Sequence, residues 1–126
     1  MTYLLVALGG AFGATLRYAV NVGSGSLLGP GWPWGTLIAN ALGSFALGVV
    51  VELGAGRTIF GVDVRVPLGV GVLGGFTTYS SFNLEVIRFW EQGQVGRAAA
   101  WSIGTFVLCI VFGLAGLMLA RAIKSG

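Results

Sequence analysis

The chain has 126 residues, 56% of them apolar and only 9% charged, with seven basic residues against four acidic. An ordinary soluble domain carries about 25% charged residues, so a chain this short and this poor in charge cannot cover a globular surface and needs an apolar solvent, the bilayer. The scattered net charge of +3 gives no footing for nucleic acid, and one cysteine (Cys109) with no histidine rules out an internal disulfide and argues against a zinc or haem centre.

Four apolar segments are predicted as membrane helices within a single unit spanning residues 1–126. They run from about Tyr3 to Val22, Trp34 to Leu53, Val66 to Trp90 and Gly96 to Ile123. Each is long enough to cross roughly 30 Å of hydrocarbon at about 1.5 Å per residue. Met1-Thr2-Tyr3-Leu4-Leu5 has no basic n-region or cleavage site and reads as the start of the first helix. Gly23 to Pro33, rich in Gly, Ser and Pro, reads as a loop. Gly54 to Arg65 forms a charged linker and Glu91 to Gly96 a tight polar turn. Trp32, Trp34, Trp90 and Trp101 fall near segment ends, where indole rings favour the membrane interface.

Glycine makes up 23 of the 126 residues and sits inside the apolar stretches, as in membrane helices whose backbones approach closely. The pairs Gly9/Gly13, Ala39/Gly43, Gly71/Gly75 and Gly116/Ala120 are candidate packing faces. Four helices can hardly enclose a pore, so self-association is expected. Counting basic residues by side gives Arg57, Arg65, Arg121 and Lys124 against Arg17, Arg88 and Arg97. That balance is a poor topogenic signal. A topology decided by one charge or by loop detail accounts for it, and insertion in both orientations with antiparallel pairing is the other reading.

No ionisable residue lies near the middle of a predicted segment. Arg17, Glu52, Glu85 and Arg88 all lie toward ends. Proton relays usually need an intramembrane carboxylate, and neither a general acid–base pair nor a His-activated nucleophile is available, so the chain is not expected to be an enzyme. Neutral polar groups take their place. Thr36, Asn40 and Ser44 share one face of the second helix, and Ser102 and Thr105 lie on the fourth. A Ser or Thr in a membrane helix commonly bonds its own backbone. A buried amide such as Asn40 needs several partners, as pore lining or as interhelical glue.

The third segment departs most from a plain helix. Gly74-Gly75-Phe76 is followed by five hydroxyl residues, Thr77 to Ser81, then Phe82 and Asn83. This is a poor continuous helix, and a break near its middle would free carbonyls suited to a small hard cation. A kinked packing helix is the other reading. Tyr79 and Phe82, at i and i+3, would share a face beyond the break. Aromatic rings carry a positive edge. Such edges, with amide and hydroxyl donors, could replace the hydration shell of a compact anion without a full charge that would hold it too tightly to conduct. Fluoride fits this chemistry, although composition alone does not select it.

Three stretches together carry a family likeness: Gly9-Gly10-Ala11-Phe12-Gly13-Ala14-Thr15-Leu16-Arg17-Tyr18, Gly35-Thr36-Leu37-Ile38-Ala39-Asn40-Ala41-Leu42-Gly43-Ser44-Phe45, and Gly74-Gly75-Phe76-Thr77-Thr78-Tyr79-Ser80-Ser81-Phe82. Their order, the chain length and the helix count resemble the Fluc (CrcB) family of bacterial fluoride channels. The resemblance implies an all-α, dual-topology antiparallel homodimer in the cytoplasmic membrane, passing fluoride passively and selectively out of the cell. It implies a sodium ion at the dimer centre, held by carbonyls at Gly74 and Thr77 of each subunit. It places Asn40, Tyr79 and Phe82 on the fluoride path, with Ser81 and Thr105 near it, and gives Arg17 a structural role. Tyr79 stands where the family usually has Phe, and Cys109 one turn after Thr105 where a more polar residue is expected. Two rivals remain: a small multidrug exporter, which needs a carboxylate in a first helix that has none here, and a non-transporting membrane assembly subunit.

Overall fold

The computed structural model describes residues 1–126. Helix α1 (Thr2–Leu28) and α2 (Trp34–Leu53) come first, followed by a two-residue hairpin, β1 (Thr58–Ile59) and β2 (Val62–Asp63). The third span is in two pieces. Val66–Leu73 winds as a π-helix and runs into the single α-turn Gly74–Phe76, together called α3, and α4 (Tyr79–Glu91) follows after two extended residues. Helix α5 (Val95–Ser125) closes the chain. Three helices are long and apolar enough to cross a membrane alone, namely α1, α2 and α5. The broken α3–α4 pair makes the fourth crossing, so the fold is helical throughout its spans.

Helix α1 extends six residues past the expected end at Val22, through what composition marks as a loop. The hydroxyls of Ser24 and Ser26 donate to the carbonyls of Val20 and Val22 one turn back, so these serines serve the helix instead of competing with it. The extension moves Arg17 from a helix end to the interior of α1. The linker 54–65 also holds more structure than expected. Phe60 and Gly61, with φ of 50° and 74°, make the tight turn, and Thr58 pairs with Asp63 across it. Asp63 accepts from the Arg65 side chain and backbone, and this holds its carboxyl down at about 2. On the same side, Glu52 at the end of α2 pairs with Arg121 and Lys124 at 3.2 Å each, tying the C-terminal turns of α5 to α2.

Packing is set by small residues within the chain. Helix α1 lies chiefly on α3, and α2 on α5. A Cβ on Gly9 would meet the Pro67 carbonyl at 2.8 Å, and one on Gly75 the Gly10 carbonyl at 2.5 Å. A Cβ on Gly13 would collide with the Val72 carbonyl, and one on Gly116 with that of Phe45. On the α2–α5 face, Gly48 would meet the Gly113 carbonyl at 2.6 Å. The small-residue pairs marked as candidate packing faces are therefore largely used inside the chain. Where lipid removes the hydrophobic drive between helices, such backbone proximity supplies the dispersion energy that holds them together.

The tryptophans also depart from expectation. Only Trp90 is strongly exposed, at 64%. Trp101 is 5% exposed and stacks with Trp32 and Trp34 at centroid distances of 5.4 and 5.9 Å. This aromatic cluster ties the α1–α2 link to the start of α5 through tilted and edge-to-face ring contacts.

Gly13→Val is expected to prevent assembly of α1 on α3. Overpacking of a tight core costs about 1–3 kcal/mol, and here the obstacle is a backbone carbonyl that cannot swing away. Gly23→Ala, with nothing within 4 Å of the added Cβ, serves as control. Size-exclusion profiles and thermal melts in detergent check this. A Gly13→Val protein as monodisperse and heat-stable as the control contradicts the packing account.

Candidate functional site: a neutral groove at the broken helix

The break in the third span is held open by hydrogen bonds from outside it. A continuous helix would aim the Thr78 N–H at the Gly74 carbonyl, but this N–H donates to Asn40 Oδ1 on α2 at 2.7 Å. Asn40 Nδ2 donates to the Thr78 carbonyl at 2.9 Å. The amide thus meets both backbone groups of one extended residue, as the next strand of a sheet would. The Ser81 N–H, the helical donor for the Thr77 carbonyl, donates to Thr78 Oγ1 at 3.2 Å and caps α4. On the other flank Arg17 Nε donates to the Gly75 carbonyl at 3.1 Å. There the guanidinium satisfies a C-terminal carbonyl of α3 and faces the negative end of its helix dipole. Thr77 turns back, its N–H and its hydroxyl both donating to the Leu73 carbonyl at 2.9 Å.

The net result is selective. The carbonyls of Leu73, Gly75 and Thr78 have donors, whereas those of Gly74 and Thr77 have lost their helical donors to Asn40 and Thr78. Bare carbonyls at such a break are the ligand set that a hard cation takes. No cluster of His, Cys, Asp or Glu offers a competing metal site.

A groove of about 940 Å³ runs alongside the break, lined by α2, α3, α4 and α5. Asn40, Gly74, Thr77, Tyr79, Phe82 and Thr105 all line it, so the structure gathers these six sequence-predicted residues on one surface. None of its nineteen lining residues is Asp, Glu, Lys or Arg. The rings of Tyr79 and Phe82 meet edge to face, with centroids 5.9 Å apart at 66°. Tyr79 is 77% exposed at the lip, whereas Phe82 packs inward toward Phe89, Ala98 and Trp101. Arg17 lies behind the break and does not line the groove. Ser81 also lies outside it, lining a separate cavity on another face of α4.

The hydroxyls sort themselves by partner. Ser44 donates to the Asn40 carbonyl and Ser102 to that of Ala98, each at 2.7 Å, as helix residues bonding their own backbone do. Thr105 is different. It is 6% exposed, and its Oγ1 is a buried side-chain polar atom without any protein partner. A buried unsatisfied hydroxyl costs about 1–3 kcal/mol, so its place on the groove wall suits a donor kept for a water or an anion.

Sequence reasoning missed one constellation. Glu85, half-buried on α4, accepts from Thr36 Oγ1 at 2.5 Å and from Trp101 Nε1 at 3.2 Å. The signal was present: Glu85 follows Phe82 by three residues, hence on a neighbouring face, and Thr36 precedes Asn40 by one turn. What sequence could not supply was Trp101, which composition assigns to the lipid interface. Arg17, to which the resemblance gives a structural role, was expected toward a helix end; it lies in the interior of α1 and bonds the break.

A family model described as CrcB-like protein, Camphor Resistance (CrcB), matches residues 4–117. The chain is 47% identical over 117 residues to a protein of Agrobacterium fabrum, covering 93% of this chain and 94% of that one. It is 48% identical over 118 residues to one of Rhodospirillum centenum, covering 94% of each. With one of Thermus thermophilus it shares 43% over 121 residues, covering 96% of this chain and 94% of the relative. All three relatives bear the name fluoride-specific ion channel FluC.

Asn40→Ala is expected to destabilise the fold by about 1–3 kcal/mol, since it orphans the N–H of Thr78 away from water and leaves the Thr78 carbonyl, the N-cap carbonyl of α4, with its helical donor alone. Thermal unfolding in detergent and amide exchange at Thr78 and Ser81 check it. Unchanged protection at these amides would show that the break stands without the Asn40 bridge.

Proposed function

The chain belongs to the CrcB-like family, and from that premise we propose that it is a passive, selective fluoride channel. The carrying observation is the groove: a mostly apolar wall free of Asp, Glu, Lys and Arg, set with a few neutral polar groups and edged by two aromatic rings beside an unpartnered Thr105 hydroxyl. Fluoride is small, strongly hydrated and a strong hydrogen-bond acceptor. Neutral donors and ring edges can replace its water at each step without a charge deep enough to trap it. In this reading Asn40, Phe82, Tyr79 and Thr105 form the path, with Ser81 behind it. The Asn40 amide holds the break, and one edge of the amide is left for the ion. The Tyr79 hydroxyl adds a donor at the lip that a phenylalanine would lack. Gradient-driven passage needs no intramembrane proton carrier, and this agrees with a groove without carboxylates. The half-buried Glu85 is engaged by two donors outside the groove. That weighs against the multidrug-exporter reading, as does a first helix without Asp or Glu.

The groove is open along one side, and its lip carries Ile103 and Phe106 at 64% and 67% exposure. A second, antiparallel copy is the natural lid, turning two grooves into two closed paths. The bare carbonyls of Gly74 and Thr77 fit a sodium ion shared between copies. One subunit supplies two oxygens, too few for a hard cation, and a pair supplies four. When bound, the ion would contribute a fixed positive charge and lock the pair together. The cytoplasmic membrane of a bacterium, with export lowering internal fluoride, is the setting this reading assigns.

In liposomes, wild-type protein is expected to release fluoride rapidly with negligible chloride release, followed by electrode. Phe82→Ile should lower fluoride flux by at least tenfold in a folded protein, because it removes the ring edge, and Asn40→Asp should lower it through short-range repulsion. Undiminished flux in Phe82→Ile would remove the aromatic from the path, and no wild-type flux from folded dimers would remove the channel assignment. Sodium is expected to raise the melting temperature of the dimer where potassium or N-methylglucamine does not. Identical melting curves in the three salts would argue against the shared cation.

A further inference from the structure

A second cavity, of about 590 Å³, lies on another face of α4, between the α1–α2 link and the start of α5. Unlike the groove, it is charged: Arg88, Arg97 and Glu85 all line it. Glu85 is turned to Thr36 and Trp101. Arg97 is fixed in place. Its guanidinium lies 4.2 Å from the Trp32 ring centroid and 5.0 Å from that of Phe89, and donates to Gln94 Oε1 at 3.3 Å and to the Gly31 carbonyl at 2.5 Å. The Arg88 side chain is exposed and has no protein acceptor. Two cations against one engaged carboxylate leave the cavity positive, and aromatic walls of low dielectric focus that field.

The cavity adjoins the groove through two elements. On α4, Ser81 lines the cavity and Phe82 the groove; on α2, Thr36 lines the cavity and Asn40, one turn on, the groove. We propose that this cavity is an anion-collecting mouth, in which Arg88 and Arg97 concentrate hydrated fluoride ahead of the neutral path. The inference rests on the channel reading above. Size supports a hydrated ion: at about 30 Å³ of liquid volume per water, the cavity holds on the order of twenty waters. An anion there keeps its shell and is attracted only at long range. Placing the cations at the wide mouth and none in the groove separates attraction from passage, so accumulation does not become trapping.

The test is fluoride current through single channels in planar bilayers of zwitterionic phosphatidylcholine, with dilute fluoride and impermeant potassium gluconate setting ionic strength. Arg88 is the position to change, since Arg97 also packs. At about 0.01 M salt the Debye length is about 30 Å, and at about 1 M it is about 3 Å. Arg88→Gln is expected to carry about threefold less current than wild type at low ionic strength, the scale of losing one steering charge at a focused mouth. At high ionic strength the two should converge, and Arg88→Lys should behave as wild type at both. Equal currents at low ionic strength would overturn the proposal, as would a loss of the same size in both salts or an Arg88→Lys current as low as that of Arg88→Gln. A loss that appears only when phosphatidylglycerol is added would make Arg88 a lipid-phosphate ligand and overturn it too. A wild-type protein without fluoride current overturns the channel reading itself, and this inference with it.

Discussion

The paired hydrogen bonds between the Asn40 amide and the backbone of Thr78 are the contact on which the rest of the molecule depends. An α-helix interrupted inside a bilayer exposes carbonyl and amide groups to a solvent that cannot hydrogen-bond them. The interruption survives only if other protein groups meet that demand. One asparagine side chain does so at the centre of the break, with a donor and an acceptor at 2.9 and 2.7 Å. Arg17 and the Thr78 hydroxyl serve its two flanks. Because Asn40 captures the Thr78 N–H, the Gly74 carbonyl goes without its helical donor. Stabilising the break and creating a candidate cation site are therefore the same structural act.

Arg17 carries a related lesson about cost. A cation at membrane depth is expensive unless it is paired or bonded to carbonyls. Here its acceptor is the carbonyl at the C-terminal end of a short helix, whose dipole favours positive charge. It sits behind the break and away from the groove, with the backbone of the break between its charge and the groove. A cation on the groove wall would hold an anion in place; one behind the break supports the architecture that presents neutral donors instead.

Much of this was legible in the sequence because its causes are local. A run of two glycines and five hydroxyl residues cannot continue a helix gracefully, and α3 does end at Phe76 with Thr77 and Thr78 extended. Period and hydropathy located the four apolar segments, whereas the grouping of Asn40, Gly74, Thr77, Tyr79, Phe82 and Thr105, which line one surface, was implied by the family resemblance, because spacing within a helix does not say which faces of different helices meet. The failures have non-local causes. Ser24 and Ser26 look like loop residues until their hydroxyls are seen to bond the preceding turn, and only then does Arg17 fall inside the membrane. Trp101 looks like an interface anchor until its partners, Trp32, Trp34 and Glu85, are brought to it from three other elements. Ser81 shares the motif with Phe82 but not its face, since adjacent helical residues point about 100° apart.

The same angular offset explains how one short helix can serve two environments. Along α4, Phe82 and Val86 belong to the neutral groove, while Ser81, Glu85 and Arg88 belong to the charged cavity. Helix α2 divides along its axis instead, Thr36 lining the cavity and Asn40, one turn on and on the same face, the groove. The boundary between the charged cavity and the neutral groove is thus drawn along two helices, and the Thr36–Glu85 hydrogen bond pins the helices together at that boundary. A carboxylate so placed holds α2 and α4 in register while its charge is partly offset by Arg88 and Arg97 on the cavity side. This keeps a carboxyl group near the groove without placing one on its wall.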